Sequence, residues 1–428
     1  MSDWAGRRLH FVGIGGAGMS GLALVCAELG ATVTGSDRAD STYVERLRAA
    51  GIEPAIGHDA ANLPEGAEVV VSTAIDAGNP ELALARERGV EPIHRGALLA
   101  ELCAEKRLIA VAGTHGKTTT TAMLAWALRA LGADPAFLVG GEVPGLGPGG
   151  VTANAGWGEG EWVVAEADES DGSFLRLAPE VAVVTNLEMD HHSHWGSEAE
   201  LRAAFAEFEA KARAVARPED AALDAELAVP GHHNLLNARA AIAAAVAAGF
   251  EAAAVAAALA DFPGVKRRLE LKGSRRGTRV YDDYAHHPTE VRAALSALRE
   301  AGPGRLIALF QPHLYSRTKA FAEGFGAALS LADEAAVLDV YPAREEPVGE
   351  LAGVSGLRVA QAAAERMGGR RVLWLPDADG AADALARVLV RNSALGIEGQ
   401  VLVTIGAGDV FRIGEALLED GSSEEAPR

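Results

Sequence analysis

The sequence predicts an α/β protein built as three consecutive blocks, each a mostly parallel sheet with helices on both faces. Short β-branched runs alternate with helical patterns almost throughout, the signature of parallel sheets with crossover helices. Glycine-bearing turns stand between a strand and a helix at Gly13, at Gly113 and again at Gly406. With 428 residues and 49% hydrophobic residues, the chain is long enough for two or three separate cores.

The first block, 1–107, has strands expected near 9–12, 32–35, 68–72 and 91–93, and reads as a small Rossmann-like unit. The second, 108–265, opens with the apolar run 108–111 and includes runs at 162–166 and 181–185, each ending in polar residues where open α/β sheets gather ligands. Its most membrane-like stretch, 240–260, is Ala-dominated and broken by Gly249 and Glu251, so a packed helix pair is expected there rather than a span. The third, 266–428, starts at Lys266, Arg267 and Arg268 and repeats the alternation at 279–282, 305–310, 335–340, 372–375 and 401–405. From about residue 419 the chain is polar and patternless, and fraying is expected. No repeat at solenoid periods is visible.

A formal charge of -20 argues against duplex binding, which demands a basic face, so no nucleic-acid partner is expected. Cys26 and Cys103 lie in apolar helical patterns without metal spacing and read as buried thiols in a reducing compartment. The N-terminus leads straight into a strand without an apolar signal region, so a cytoplasmic protein without membrane insertion is expected.

Between the run 108–111 and a helical pattern stand Gly113, Thr114, His115, Gly116, Lys117, Thr118 and Thr119. This is a phosphate loop in its proper setting: backbone amides would cradle phosphates, Lys117 would meet the β/γ oxygens and Thr118 would hold a magnesium ion. The strict pattern wants a glycine where this chain has Val111. Gly13, Gly15 and Gly18 also follow a strand and open a helix, with Asp37 ending the next strand. That pattern identifies a pyrophosphate, as NAD or as another phosphate ligand. A hydride-transfer enzyme has no obvious need of the second loop, so the pair favours a ligase with a nucleotide-linked substrate over a dehydrogenase.

Glu166, Asp168, Glu169 and Asp171 cluster at a strand end, where magnesium beside ATP would supply counter-charge, with Glu166 the preferred ligand; the bland alternative is a solvated acidic turn. His191, His192 and His194 crowd one segment, unlike zinc ligands drawn from separate segments, and His191 is best placed to join a magnesium site. Asn234 and Asn237 share a helix face and suit an adenine edge, although helix capping explains Asn234 equally well. Asp282, Asp283, Tyr284, His286 and His287 follow one strand, and Gln311, His313 and Arg317 the next. Together they make a third wall of an active site plausible, against the alternative of capped surface loops.

These motifs, with Val71-Ser72-Thr73 and Thr185-Asn186, resemble the Mur ligases over nearly the whole chain, from about Arg8 to Gly406. Within the family the match is to the member that adds L-alanine to UDP-N-acetylmuramate in peptidoglycan precursor synthesis. The resemblance implies a Rossmann-like UDP-binding N-terminal domain, a P-loop ATPase central domain and a Rossmann-like C-terminal domain that closes over the site, in a monomer or weak homodimer. It implies UDP-substrate contacts from Gly15, Gly16, Ala17, Gly18, Met19, Asp37, Ser72 and Thr73. ATP would meet the loop from Gly113 to Thr119, with Lys117 on the phosphates and Asn234, Asn237, Arg268 and Asp283 about the adenosine. Mg2+ would be served by Thr118, Glu166 and His191, while Tyr284, His286, His313 and Arg317 would face the reacting carboxyl and the alanine, with His286 or Arg317 as positive neighbours of the oxyanion. Two departures stand out: Leu314 replaces the Arg usual after His313, and the stretch 191–231 is short, lacking most of an accessory sheet. The alternatives are a related ligase that recycles a preformed peptide and a catalytically silent UDP-sugar-binding protein.

Overall fold

The computed structural model describes residues 4–189, 195–343 and 345–419. The chain divides into two compact units. One runs up to Ala228 and resumes over Asn234–Pro263; the other takes Val229–His233 and continues from Gly264.

The first unit holds two sheets. One has five parallel strands in the order Ala55–Ile56, Thr32–Asp37, Arg8–Val12, Glu68–Val71, Ile93–His94. The other has six, in the order Ala214–Ala216, Val181–Val184, Arg107–Ala112, Trp162–Glu166, Ala136–Val143, Ala153–Gly156, parallel except for the last pair. Leu108, Ile109, Ala110, Val111 and Ala112 are all buried, as expected of a central parallel strand covered on both faces. Val111 explains itself here: it pairs with Val183 on one side and Glu166 on the other, so the position of the missing glycine belongs to the strand and not to the turn.

The helix Ala17–Glu28 joins the two sheets of this unit. A Cβ on Gly21 would stand 3.2 Å from that of Ala155, and buried Asn154 donates to the Ala17 carbonyl at 2.9 Å while accepting from Arg46 at 2.8 Å. Cys26 and Cys103 are buried, and desolvation pushes both thiols up to about 12. The Ala-rich stretch forms the helices His232–Ala247 and Ala252–Leu259. Among the described residues, no helix is long and apolar enough to cross a membrane.

The second unit carries a six-stranded sheet in the order Glu270–Arg275, Thr278–Asp283, Gln400–Ile405, Arg305–Phe310, Glu334–Leu338, Val372–Leu375, antiparallel only in the first pair. Five strands went unforeseen in sequence: Ala55–Ile56, Ala136–Val143, Ala153–Gly156, Ala214–Ala216 and Glu270–Arg275. They are very short, glycine-bearing or polar, and lack a β-branched run. Between Trp195 and Gly231 the chain makes one helix, Glu198–Ala210, one three-residue strand, Ala214–Ala216, and a 3-10 turn, Pro218–Asp220.

Candidate active site

The strand Arg107–Ala112 delivers the chain into a turn whose glycines are forced by geometry. Gly116 caps the helix Lys117–Ala130 at φ +82°, and a Cβ there would lie 2.2 Å from Asn237 Oδ1. At Gly113, with φ +135°, a Cβ would lie 2.0 Å from Thr185 Oγ1. The segment after the strand Val181–Val184 braces the turn: Thr185 Oγ1 donates to the His115 carbonyl at 2.6 Å, and Asn186 Oδ1 accepts from the His115 amide at 3.0 Å. Thr114 Oγ1 donates to the Glu188 carbonyl at 2.8 Å. The helix N-terminus has no side-chain cap, which leaves its amides for an anion.

Lys117 folds back over this turn. Its Nζ donates to the Gly113 carbonyl at 2.7 Å and lies 2.8 Å from the carboxylate of buried Glu169. Burial works against the charge on Lys117, but Glu169, Asp168 and Glu166 overcome it and hold the ammonium above its ordinary range. Burial pushes Glu169 up to about 7, against the downward pull of Lys117. Asp168 is held low in spite of burial, by Lys117 and by Arg95, whose Nη2 reaches it at 2.6 Å. Thr118 Oγ1 donates to both carboxylate oxygens of Glu166 at 3.2 and 3.0 Å, and the Gly140 amide donates to Oε2 at 2.8 Å. A hydroxyl and a carboxylate brought together at the loop form the hard oxygen set that suits magnesium. His191 lies outside the described residues.

The first glycine loop is built differently. Gly13 sits at φ +79°, and the Gly15 amide donates to Asp37 Oδ2 at 2.8 Å. A Cβ on Gly15 would meet Val44 Cγ2 at 2.9 Å. Gly16 caps the helix Ala17–Glu28 without a side-chain bond, and Gly16 and Gly18 are exposed while Met19 is buried. Ser72 and Thr73 follow the strand Glu68–Val71 at the same sheet edge.

In the second unit, Tyr284, His286, His313 and Tyr341 form a ladder of rings. Tyr284 and His286 are 5.6 Å apart, His286 and His313 6.2 Å, and His313 stacks on Tyr341 at 5.8 Å. His286 Nδ1 lies 3.1 Å from the Tyr284 carbonyl, which can only accept, so in the neutral ring Nδ1 carries the proton and Nε2 keeps a lone pair. Burial, assisted by Arg317 and Arg268 against Glu290, pulls His286 down to about 4. His286 is therefore held neutral, with Arg317 contributing to the positive field about it. Asp283 accepts from the Leu269 amide and the Ala285 amide, both at 2.8 Å, and burial raises it to about 6. Arg268 stands over the Tyr284 ring at 5.5 Å. Leu314 takes φ +67°, and its carbonyl accepts from Thr318 Oγ1 at 2.7 Å.

The first unit thus brings together Gly113, Thr114, His115, Gly116, Lys117, Thr118, Thr119, Glu166, Asn234 and Asn237; the two Asn residues are buried, with Asn237 Nδ2 3.4 Å from Asn234 Oδ1. The second gathers Arg268, Asp283, Tyr284, His286, His313 and Arg317. Three contributors escaped sequence reasoning: Glu169 as the partner of Lys117, Gly140 as the amide on Glu166, and Arg95 as the partner of Asp168. Only Glu169 had a signal, as one carboxylate of four in its run, with nothing to single it out.

Three family models match the chain in succession. Residues 8–107 match the Mur ligase family catalytic domain, 111–215 the Mur ligase middle domain and 267–408 the Mur ligase glutamate ligase domain. The chain is 45% identical to the UDP-N-acetylmuramate--L-alanine ligase of Paenarthrobacter aurescens, covering 96% of each, and 46% identical to that of Kineococcus radiotolerans, covering 96% of this chain and 95% of the other. The crystal structure of UDP-N-acetylmuramate-alanine ligase from Thermotoga maritima is similar with a TM-score of 0.81 at 29% identity, over 96% of this chain and 98% of that one. A murein peptide ligase from Psychrobacter arcticus is similar with a TM-score of 0.67 at 25% identity, over the same shares.

Proposed function

The chain belongs to the Mur ligase family and joins L-alanine to UDP-N-acetylmuramate with ATP; we propose that it does so through an acyl phosphate, with each block serving one substrate. Residues 1–107 take the UDP end, 108–265 the ATP, and 266–428 the amino acid. The observation that carries this reading is the contrast within one unit between a lysine-free glycine loop and a loop on which Lys117 lies beside Glu166 and Thr118.

A carboxylate is a poor electrophile. An oxygen of the muramoyl lactyl carboxylate attacks the γ-phosphorus of ATP, ADP departs, and Lys117 balances charge on the transferring group. The amine of L-alanine then attacks the acyl carbon, and inorganic phosphate leaves from the tetrahedral intermediate. Neutral His286 offers Nε2 to the proton lost by the amine, and Arg317 faces the oxyanion; Tyr284 and His313 position the amino acid. Asn234, Asn237, Arg268 and Asp283 serve the adenosine. Gly15, Gly16, Ala17, Gly18, Met19, Asp37, Ser72 and Thr73 serve the UDP. Thr118 and Glu166, with His191, would hold Mg2+, which when bound neutralises phosphate charge. We place the enzyme in the cytoplasm as a monomer or weak homodimer.

The test is phosphate release with each substrate omitted in turn, and with L-alanine set against a tripeptide. Release that needs ATP, UDP-N-acetylmuramate and L-alanine together is expected. Release only with tripeptide would assign the recycling reaction, and binding without turnover a silent protein.

A further inference from the structure

A diphosphate bound at the loop 13–18 needs a counter-charge, and residues 13–19 contain no cationic side chain. The nearest carboxylate, Asp37, already occupies the Gly15 amide at 2.8 Å, which makes the need greater. The structure brings a cation from elsewhere. Arg95 opens the helix Arg95–Cys103 directly after the strand Ile93–His94, at the same sheet edge as Ser72 and Thr73. Its Nη1 lies 3.6 Å from where a Cβ on Gly18 would stand, over the start of the helix Ala17–Glu28.

The guanidinium is divided between two tasks. Nη2 donates to Asp168 Oδ2 at 2.6 Å and Asp171 Oδ2 at 3.2 Å, fixing the plane of the group. Nη1 makes no hydrogen bond among the described residues. Asp168 in turn lies within electrostatic reach of Lys117. The approach is built in: Gly96 lets the helix pass the turn at Ser173, where a Cβ would lie 2.4 Å from the Ser173 Cβ.

We propose that Arg95 binds the diphosphate of the UDP-linked substrate through Nη1 while Asp168 and Asp171 hold its other nitrogen, so that one side chain ties the first glycine loop to the acidic turn beside Lys117. This rests on the assignment of the loop 13–18 to UDP. A fork with one fixed arm suits arginine and not lysine, because a lysine ammonium has a single nitrogen and cannot reach two partners held apart by a rigid planar group.

The experiment is calorimetric titration of the full chain with UDP and, by competition, with uridine, for the wild type, Arg95→Ala and Arg95→Lys, with thermal melts to confirm folding. Loss of charge-assisted bonds to phosphate predicts UDP binding weakened roughly 10- to 100-fold in Arg95→Ala, with uridine unchanged within about threefold. Arg95→Lys, which keeps a cation facing both aspartates, is expected to fold and to lose part of the UDP affinity. Equal losses of UDP and uridine, or an Arg95→Lys variant that binds UDP like the wild type, would overturn the proposal. A wild type that fails to bind UDP would instead bring down the assignment of the loop, and the proposal with it.

Discussion

The two glycine loops of the first unit share a plan and differ in one respect. Each follows a buried strand, each opens a helix capped by a glycine without a side-chain bond, and each already faces a carboxylate. At the first loop Asp37 accepts from a backbone amide; at the second Glu169 faces the Lys117 ammonium. A backbone amide is fixed, so the first loop can only hold a charge that stays. Lys117 is a side-chain cation held beside a buried carboxylate, suited to charge that develops during transfer. On the proposed assignment, the same turn serves recognition in one place and activation in the other.

The largest expected effect breaks this contrast at its strongest point. Lys117→Ala should lower kcat on the order of a thousandfold or more by removing a transition-state cation, read by rapid-quench detection of ADP. Next comes the turn itself. Gly116→Ala imposes a side chain at φ +82° with Asn237 Oδ1 only 2.2 Å away, and should reduce stability by about 2 to 4 kcal/mol in urea unfolding. Gly15→Ala, at a residue outside the left-handed region, meets Val44 at 2.9 Å and should cost about 1 kcal/mol. If the two variants unfold alike, the second loop is not the tighter of the pair.

The resident carboxylate of the second loop has a pH signature. Glu169 titrates near 7 in the folded chain against 4.5 as its ordinary value. The stability tied to its protonated form is therefore present below 4.5 and lost as pH rises through 7. Glu169→Gln should flatten that part of the stability–pH curve by about 1 to 3 kcal/mol; an unaltered slope would deny the burial of this charge. His286 gives an effect of similar size and opposite sign. Its folded value near 4 lies below its ordinary 6.5, so its contribution is complete above 6.5 and is lost as pH falls toward 4. His286→Gln should remove about 1 to 3 kcal/mol of that acid-side loss, followed by urea unfolding at stepped pH.

Much of this was legible in the chain because apolar β-branched runs announce buried parallel strands: the strands Trp162–Glu166, Arg305–Phe310 and Val372–Leu375 lie where alternation places them. The strand Ala136–Val143 escaped because Gly140 and Gly141 interrupt its run, and Gly140 is there to admit Glu166, whose carboxylate would sit 2.4 Å from a Cβ. The motif glycines and Lys117 could be read because a turn needs them at fixed spacing. Arg95 could not, since its partners Asp168 and Asp171 lie more than seventy residues away and only folding brings them together. The neutral state of His286 was equally hidden, because burial is a property of packing and not of a motif.

The division of labour between the loops is tested most directly by titrating UDP-N-acetylmuramate into the wild type and into Lys117→Ala by calorimetry, alongside the assay for ADP. A Kd within about threefold of the wild type, together with loss of ADP formation, is the result expected if the loops hold different ligands. A fall in UDP-sugar affinity as large as the fall in turnover would contradict it.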